Sequence, residues 1–102
     1  MQIAKVYGTV VSNYKEPNLT GTKFLLLQLV DLQGQLLPDY EVATDTVGAG
    51  IDEWVLFTRG SGARQVRDSE NRPIDAAVIA IIDTISLSDR TLYSKKYSER
   101  MQ

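Results

Sequence analysis

Short runs of β-branched and aromatic residues, each cut off by a glycine or proline turn, restrict this chain to a mainly-β fold. Gln2 to Ser12 is the first run, with Ala4, Val6, Gly8 and Val10 sharing one face at a period of two. A glycine inside such a strand marks a bulge or a sharp bend, so Gly8 is expected at an irregularity. Asn13 to Gly21 carries Lys15, Glu16, Pro17 and Asn18 and reads as an exposed loop. Thr22 to Leu32 and Gln35 to Thr44 flank the turn Gln33-Gly34 as an antiparallel hairpin, in which Pro38 requires an edge or a bulge. Glu53 to Thr58 follows, bracketed by Val47-Gly48-Ala49-Gly50 and Arg59-Gly60-Ser61-Gly62.

Beyond the polar stretch Arg67 to Arg72, the order Pro73-Ile74-Asp75-Ala76-Ala77 predicts one short helical turn, because proline suits the first helical position. Val78 to Leu87 starts fully apolar and becomes alternating, as a buried strand emerging at a rim would. Ser88 to Gln102, with Leu92 and Tyr93 amid Lys95, Lys96, Glu99 and Arg100, is too polar for a core of its own and is expected to fray or to dock on a neighbour. The chain is 102 residues long, which suits one domain. These readings combine into a five-stranded OB-like β-barrel over 1–87 with one short helix, and a polar C-terminal tail over 88–102.

The sequence contains neither cysteine nor histidine. That removes disulfides, thiol nucleophiles, zinc–thiolate sites and the side chain best suited to proton transfer near neutrality, so no catalytic residue, cofactor or metal is expected. A net charge of −2 lacks the basic surplus of a nucleic-acid binder. The apolar stretches Phe24 to Leu27 and Ala76 to Ile82 are far shorter than the roughly 20 residues that cross a bilayer. Met1 to Lys5 enters a strand pattern without a leader-like segment, and a cytoplasmic location is expected.

Each candidate site has a plainer reading beside it. Gly48-Ala49-Gly50 is not followed by the Lys-Ser/Thr of a phosphate-binding loop. Asp45, Asp52 and Glu53 offer oxygens for a hard cation, yet their spacing fits no recognised loop and solvated acids are the better account. Ser61 between Gly60 and Gly62 lacks an imidazole base, leaving only a serine–lysine pair. Trp54, Phe57, Phe24 and the tyrosines would make a stacking platform for single strands, or serve the core and subunit contacts. Asp83 interrupts an apolar run and calls for a partner such as Arg59 or Arg64.

The stretch Asp45-Thr46-Val47-Gly48-Ala49-Gly50-Ile51-Asp52-Glu53-Trp54-Val55-Leu56, followed by Arg59 to Val66, resembles the EutN/CcmL family of bacterial microcompartment vertex proteins. Ala4 to Ser12, Leu19 to Leu27 and Asp75 to Asp83 agree with the same pattern. Glu53-Trp54-Val55-Leu56 and Leu92-Tyr93-Ser94-Lys95-Lys96 are most similar to the carboxysome branch, although Gly62 stands where serine or alanine is usual. The resemblance implies a homopentamer of OB-like barrels at the corners of a carboxysome shell whose facets are hexameric shell proteins. An internal scaffold protein is a further implied partner. The other outcomes are a shell of another metabolic type, such as ethanolamine degradation, or an OB-like single-strand-binding module. The geometry is coherent, since hexagons tile a flat sheet and closing it needs five-fold rings with head-to-tail contacts. Under this resemblance Asp45, Gly48, Ala49, Gly50, Glu53, Gly60, Ser61, Gly62 and Arg64 are expected at the subunit interface around the five-fold axis.

Overall fold

A computed structural model describes residues 1–11, 17, 23–60, 63 and 75–95. The strands β1 (Gln2–Val10), β2 (Phe24–Val30), β3 (Leu36–Asp45), β4 (Trp54–Arg59) and β5 (Ala76–Ile81) close into a barrel in the order β1-β2-β3-β5-β4. Every neighbouring pair is antiparallel except β3–β5, which is parallel. The five-stranded barrel expected from the turn spacing is therefore present.

Alternation sets the interior. Ala4 and Val6 of β1, Leu25 and Leu27 of β2, Ala43 of β3, Val55 and Phe57 of β4 and Val78 of β5 are buried and pack as one cluster. A barrel of few strands has a narrow lumen, so most of these side chains are small or branched, and Phe57 is the largest fully buried one among the described residues.

Two bulges shape the barrel wall. Val6 pairs with Leu27 and Gly8 with Leu26, so Tyr7 is an extra residue in β1, at the irregularity expected of Gly8. Gln28 pairs with Tyr40 but Val30 with Leu36, which puts Pro38 inside a longer bulge of β3, where its missing N–H breaks no ladder bond. Gln28 Nε2 donates to the Leu37 carbonyl at 3.0 Å and pins that bulge. Gly34 in the β2–β3 turn takes φ +79, and an added Cβ would stand 3.3 Å from Leu92 Cδ1.

Three expectations are corrected. Ala76 and Ala77, placed in a helical turn from sequence, are buried β-strand residues laddered to β4, with Ala77 also bonded to β3. Alanine's modest helix preference yields here to two flanking strands that need a small residue between them. Pro73 and Ile74 lie outside the described residues. The single strand expected over Val78 to Leu87 is broken. Ile82 stays buried, its N–H donating to the Trp54 carbonyl at 2.8 Å, and the chain then turns into β6 (Thr84–Ser86). The stretch read as a polar tail opens with a further strand, β7 (Thr91–Ser94), paired antiparallel with β6 in a separate two-stranded sheet. Asp83 is exposed rather than buried, so it needs no arginine partner; Arg59 instead meets Glu41 at 2.8 Å.

Because Phe57 fills the narrowest part of the core, Phe57→Ala is expected to lower the unfolding free energy by about 3–5 kcal/mol. Leu32→Ala, at a site 77% exposed, should change it by no more than about 0.5 kcal/mol. Urea titrations of both variants at one fixed protein concentration check the contrast.

Candidate functional site

The segment from Asp45 to Glu53 connects β3 to β4 and is organised by carboxylates. Asp45 Oδ1 accepts from the backbone N–H groups of Val47 and Gly48, each at 3.1 Å, folding the chain back at the end of β3. Gly48 takes φ +76, a conformation that side-chain-bearing residues rarely adopt. Ala49 turns inward and joins the core cluster at 1% exposure, anchoring the loop between two exposed glycines. Gly50 N–H donates to Glu53 Oε1 at 2.6 Å, and Glu53 N–H returns a bond to the Gly50 carbonyl at 3.2 Å. Asp52 sits at φ 71 and donates its N–H to the Val6 carbonyl, while Val6 N–H donates to the Glu53 carbonyl, which ties the loop's end to β1.

Each carboxylate of this loop has its own lysine. Asp45, whose side chain is fully buried, has Lys23 Nζ 3.2 Å from Oδ2, off the direction a hydrogen bond needs, so that oxygen is charge-paired without being hydrogen-bonded. The same ammonium reaches the Ala49 carbonyl at 3.5 Å. Asp52 faces Lys5 at 3.6 Å, and Glu53 Oε2 accepts from Lys95 Nζ at 2.6 Å. The hydrogen bond from Lys95, reinforced by that from Gly50 N–H, holds the Glu53 carboxyl below the usual glutamate range. Paired in this way, the three acids clip the loop to the entry of β2, to β1 and to the end of β7. Among the described residues no group of three or more acids, histidines or cysteines is arranged to hold a metal.

Of the residues expected at the interface, Asp45, Gly48, Ala49, Gly50 and Glu53 are brought into one continuous loop. Gly60 is not with them. Gly50 and Glu53 precede β4 and Gly60 follows it, so the length of a six-residue strand, about 20 Å, separates them. Gly60 N–H donates to the Asp75 carbonyl instead. Ser61, Gly62 and Arg64 lie outside the described residues. Lys23 and Lys95 were missed by the sequence reading; the unpaired acids of the loop were the only signal that cations had to come from elsewhere. The aromatic residues do not form one platform. Phe57 is in the core, Trp54 stacks on Tyr93 at 4.4 Å and 13°, and the exposed rings in contact are Tyr7 and Tyr40 at 5.7 Å.

Residues 1–83 match the family model described as ethanolamine utilisation protein EutN/carboxysome. The chain belongs to the EutN/CcmL family. It is 69% identical to the carboxysome shell vertex protein CcmL of Gloeobacter violaceus, over 94% of this chain and 96% of that protein. The solved structure of that CcmL superposes with a TM-score of 0.91, covering 94% of this chain and 99% of the other. The shell vertex protein PduN of Salmonella typhimurium is 47% identical over 84% of this chain and 99% of its own. The GrpN pentameric microcompartment shell protein from Rhodospirillum rubrum is 42% identical with a TM-score of 0.78, over 85% and 99% of the two chains. In this EutN/CcmL chain the family match ends at Asp83, so the Glu53–Lys95 contact joins the matched barrel to the β6–β7 hairpin beyond it.

Glu53→Gln removes the charge that Lys95 neutralises and is expected to cost about 1–2 kcal/mol of stability at neutral pH. Because folding lowers the Glu53 pKa, its contribution is present above the unfolded value of about 4.3 and is lost as pH falls through the folded one. Urea midpoints measured from neutrality down through pH 4 should converge between the natural chain and the variant at the acid end.

Proposed function

We propose that this chain is a structural shell protein, a homopentamer that caps the vertices of an icosahedral carboxysome shell in the cytoplasm and thereby supports CO2 fixation. The observation that carries the reading is the 69% identity, over nearly the whole of both chains, to a carboxysome shell vertex protein. The lower identity to PduN makes a shell of another metabolic type the weaker assignment. GrpN's description as pentameric supports the ring size. A five-membered ring supplies the disclination that a flat sheet of hexameric shell proteins needs in order to close, so hexameric shell proteins are the partners this role requires, with an internal scaffold protein on the lumenal side. The role is met by geometry, without catalysis or a cofactor.

Within the ring, the barrel of 1–87 forms the body and the segment 88–102 extends toward a neighbouring subunit. The Asp45–Glu53 loop faces the five-fold axis. It is stiff, it exposes Gly48 and Gly50 where backbones can approach, and Val47 and Ile51 are solvent-exposed beside them. Gly60, Ser61, Gly62 and Arg64 would then line the ring at a different height from Gly50 and Glu53.

Light scattering should return the mass of five 11.4 kDa chains, and a single-chain mass over a wide concentration range would refute the ring. Gly50→Trp should lower the ring fraction and leave shells open in electron micrographs. Intact rings and closed shells from that variant would remove the loop from the axis while leaving the pentamer standing.

A further inference from the structure

The outer face of β1, β2 and β3 has a feature that neither the core nor the loop uses. Tyr7 is 59% exposed, Tyr40 49% and Val42 48%, and they stand together on one side of the wall. The register explains the grouping: Val42 pairs with Leu26, which pairs with Gly8, while Tyr40 pairs with Gln28, which pairs with Lys5. Both tyrosines sit at bulges. Tyr7 is the extra residue of the β1 bulge, and Tyr40 directly follows the Pro38 bulge of β3. Bulges re-aim side chains, and these two turn rings from either side of β2 into edge contact over it, 5.7 Å apart at 67°.

We propose that this face is one of the two surfaces through which copies of the chain meet, and that the occupant is the next subunit of the ring. The inference rests on the ring reading above and says where its subunits touch. A closed ring of more than two members uses head-to-tail contacts, so each copy must present two different surfaces. At about 150–250 Å² per aromatic side chain, the half-exposed tyrosines and Val42 offer roughly 300 Å² of apolar surface. That is the scale of a functional patch, and of the dry centre of an interface burying about 800 Å² per partner. Tyrosine is enriched at such centres because it buries area while keeping a polar tip. The charge at the margin is already matched, since Lys5 faces Asp52, and the Gln28 amide is spent on the Leu37 carbonyl. Nothing charged is left to be desolvated without a partner when a second copy covers these side chains.

The double variant Tyr40→Asp with Val42→Asp tests this by light scattering beside far-UV circular dichroism. The expected result is an unchanged β spectrum with the mass reduced from five chains to one. A folded variant that keeps the ring mass overturns the inference alone. A natural chain that never exceeds the single-chain mass overturns the ring reading and this one with it. If the double variant does not fold, Tyr40→Cys gives a protein whose only thiol lies on the face, because the natural chain has no cysteine. In the isolated ring fraction that thiol should react with a bulky maleimide about tenfold or more slower than in urea. A smaller difference overturns the proposal.

Discussion

The barrel depends on a very short seam. Four of its five strand contacts are antiparallel ladders, but the circuit is completed by β3 and β5, which pair in parallel over only Thr44–Ala77 and Asp45–Val78. Parallel pairing is the less stable arrangement per residue, and two pairs are few. Side chains extend the seam. Thr46 Oγ1 donates to the Val78 carbonyl at 3.0 Å, and Thr44 Oγ1 reaches the Ala76 carbonyl at 3.5 Å. Alanines at 76 and 77 let β5 sit close between its two neighbours. The residue that ends this seam, Asp45, also starts the glycine-rich loop, so the closure of the barrel and the shape of the loop are set by one short stretch of chain.

That loop is held without the staples a small protein commonly uses. The chain has no cysteine, and its described residues assemble no metal site. Three lysine–carboxylate pairs take over, and they are not equivalent. Lys5–Asp52 is long and solvent-exposed, the kind of pair that contributes about 0–1 kcal/mol. Glu53 is better engaged, accepting from both a lysine and a backbone N–H. Asp45 is fully buried, and its cost of desolvation is offset by two backbone donors and the nearby Lys23. The loop's rigidity is therefore concentrated at its two ends, around Asp45 and Glu53, with the small residues between them free to be approached.

Local signals carried much of this into the sequence, and long-range ones did not. Alternation in β1 and β2, the bulge implied by Gly8 and the bulge demanded by Pro38 all follow from what one residue does to its own backbone, and all are found. Ala76 and Ala77 were misread because a proline followed by alanines looks helical until two flanking strands are present to claim the backbone. β7 was missed because Thr91 to Ser94 gains its place from Trp54, Glu53 and β6, none of which its own composition announces. The lysine partners of the loop lie 42 residues from Glu53 in one case, a separation at which charge spacing says nothing. Gly60 was grouped with Gly48 and Gly50 for being a similar turn, but a strand intervenes, and a strand is a spacer.

The stack of Trp54 on Tyr93 has a consequence for how this molecule can be observed. Trp54 is the only tryptophan of the chain, and it stands at the start of β4 facing the β6–β7 hairpin, not in the barrel interior. Its emission is therefore a gauge of whether the hairpin is seated, whereas the far-ultraviolet signal of the strands gauges the barrel. The two spectroscopic transitions need not coincide, and any gap between them measures how independently the hairpin comes away.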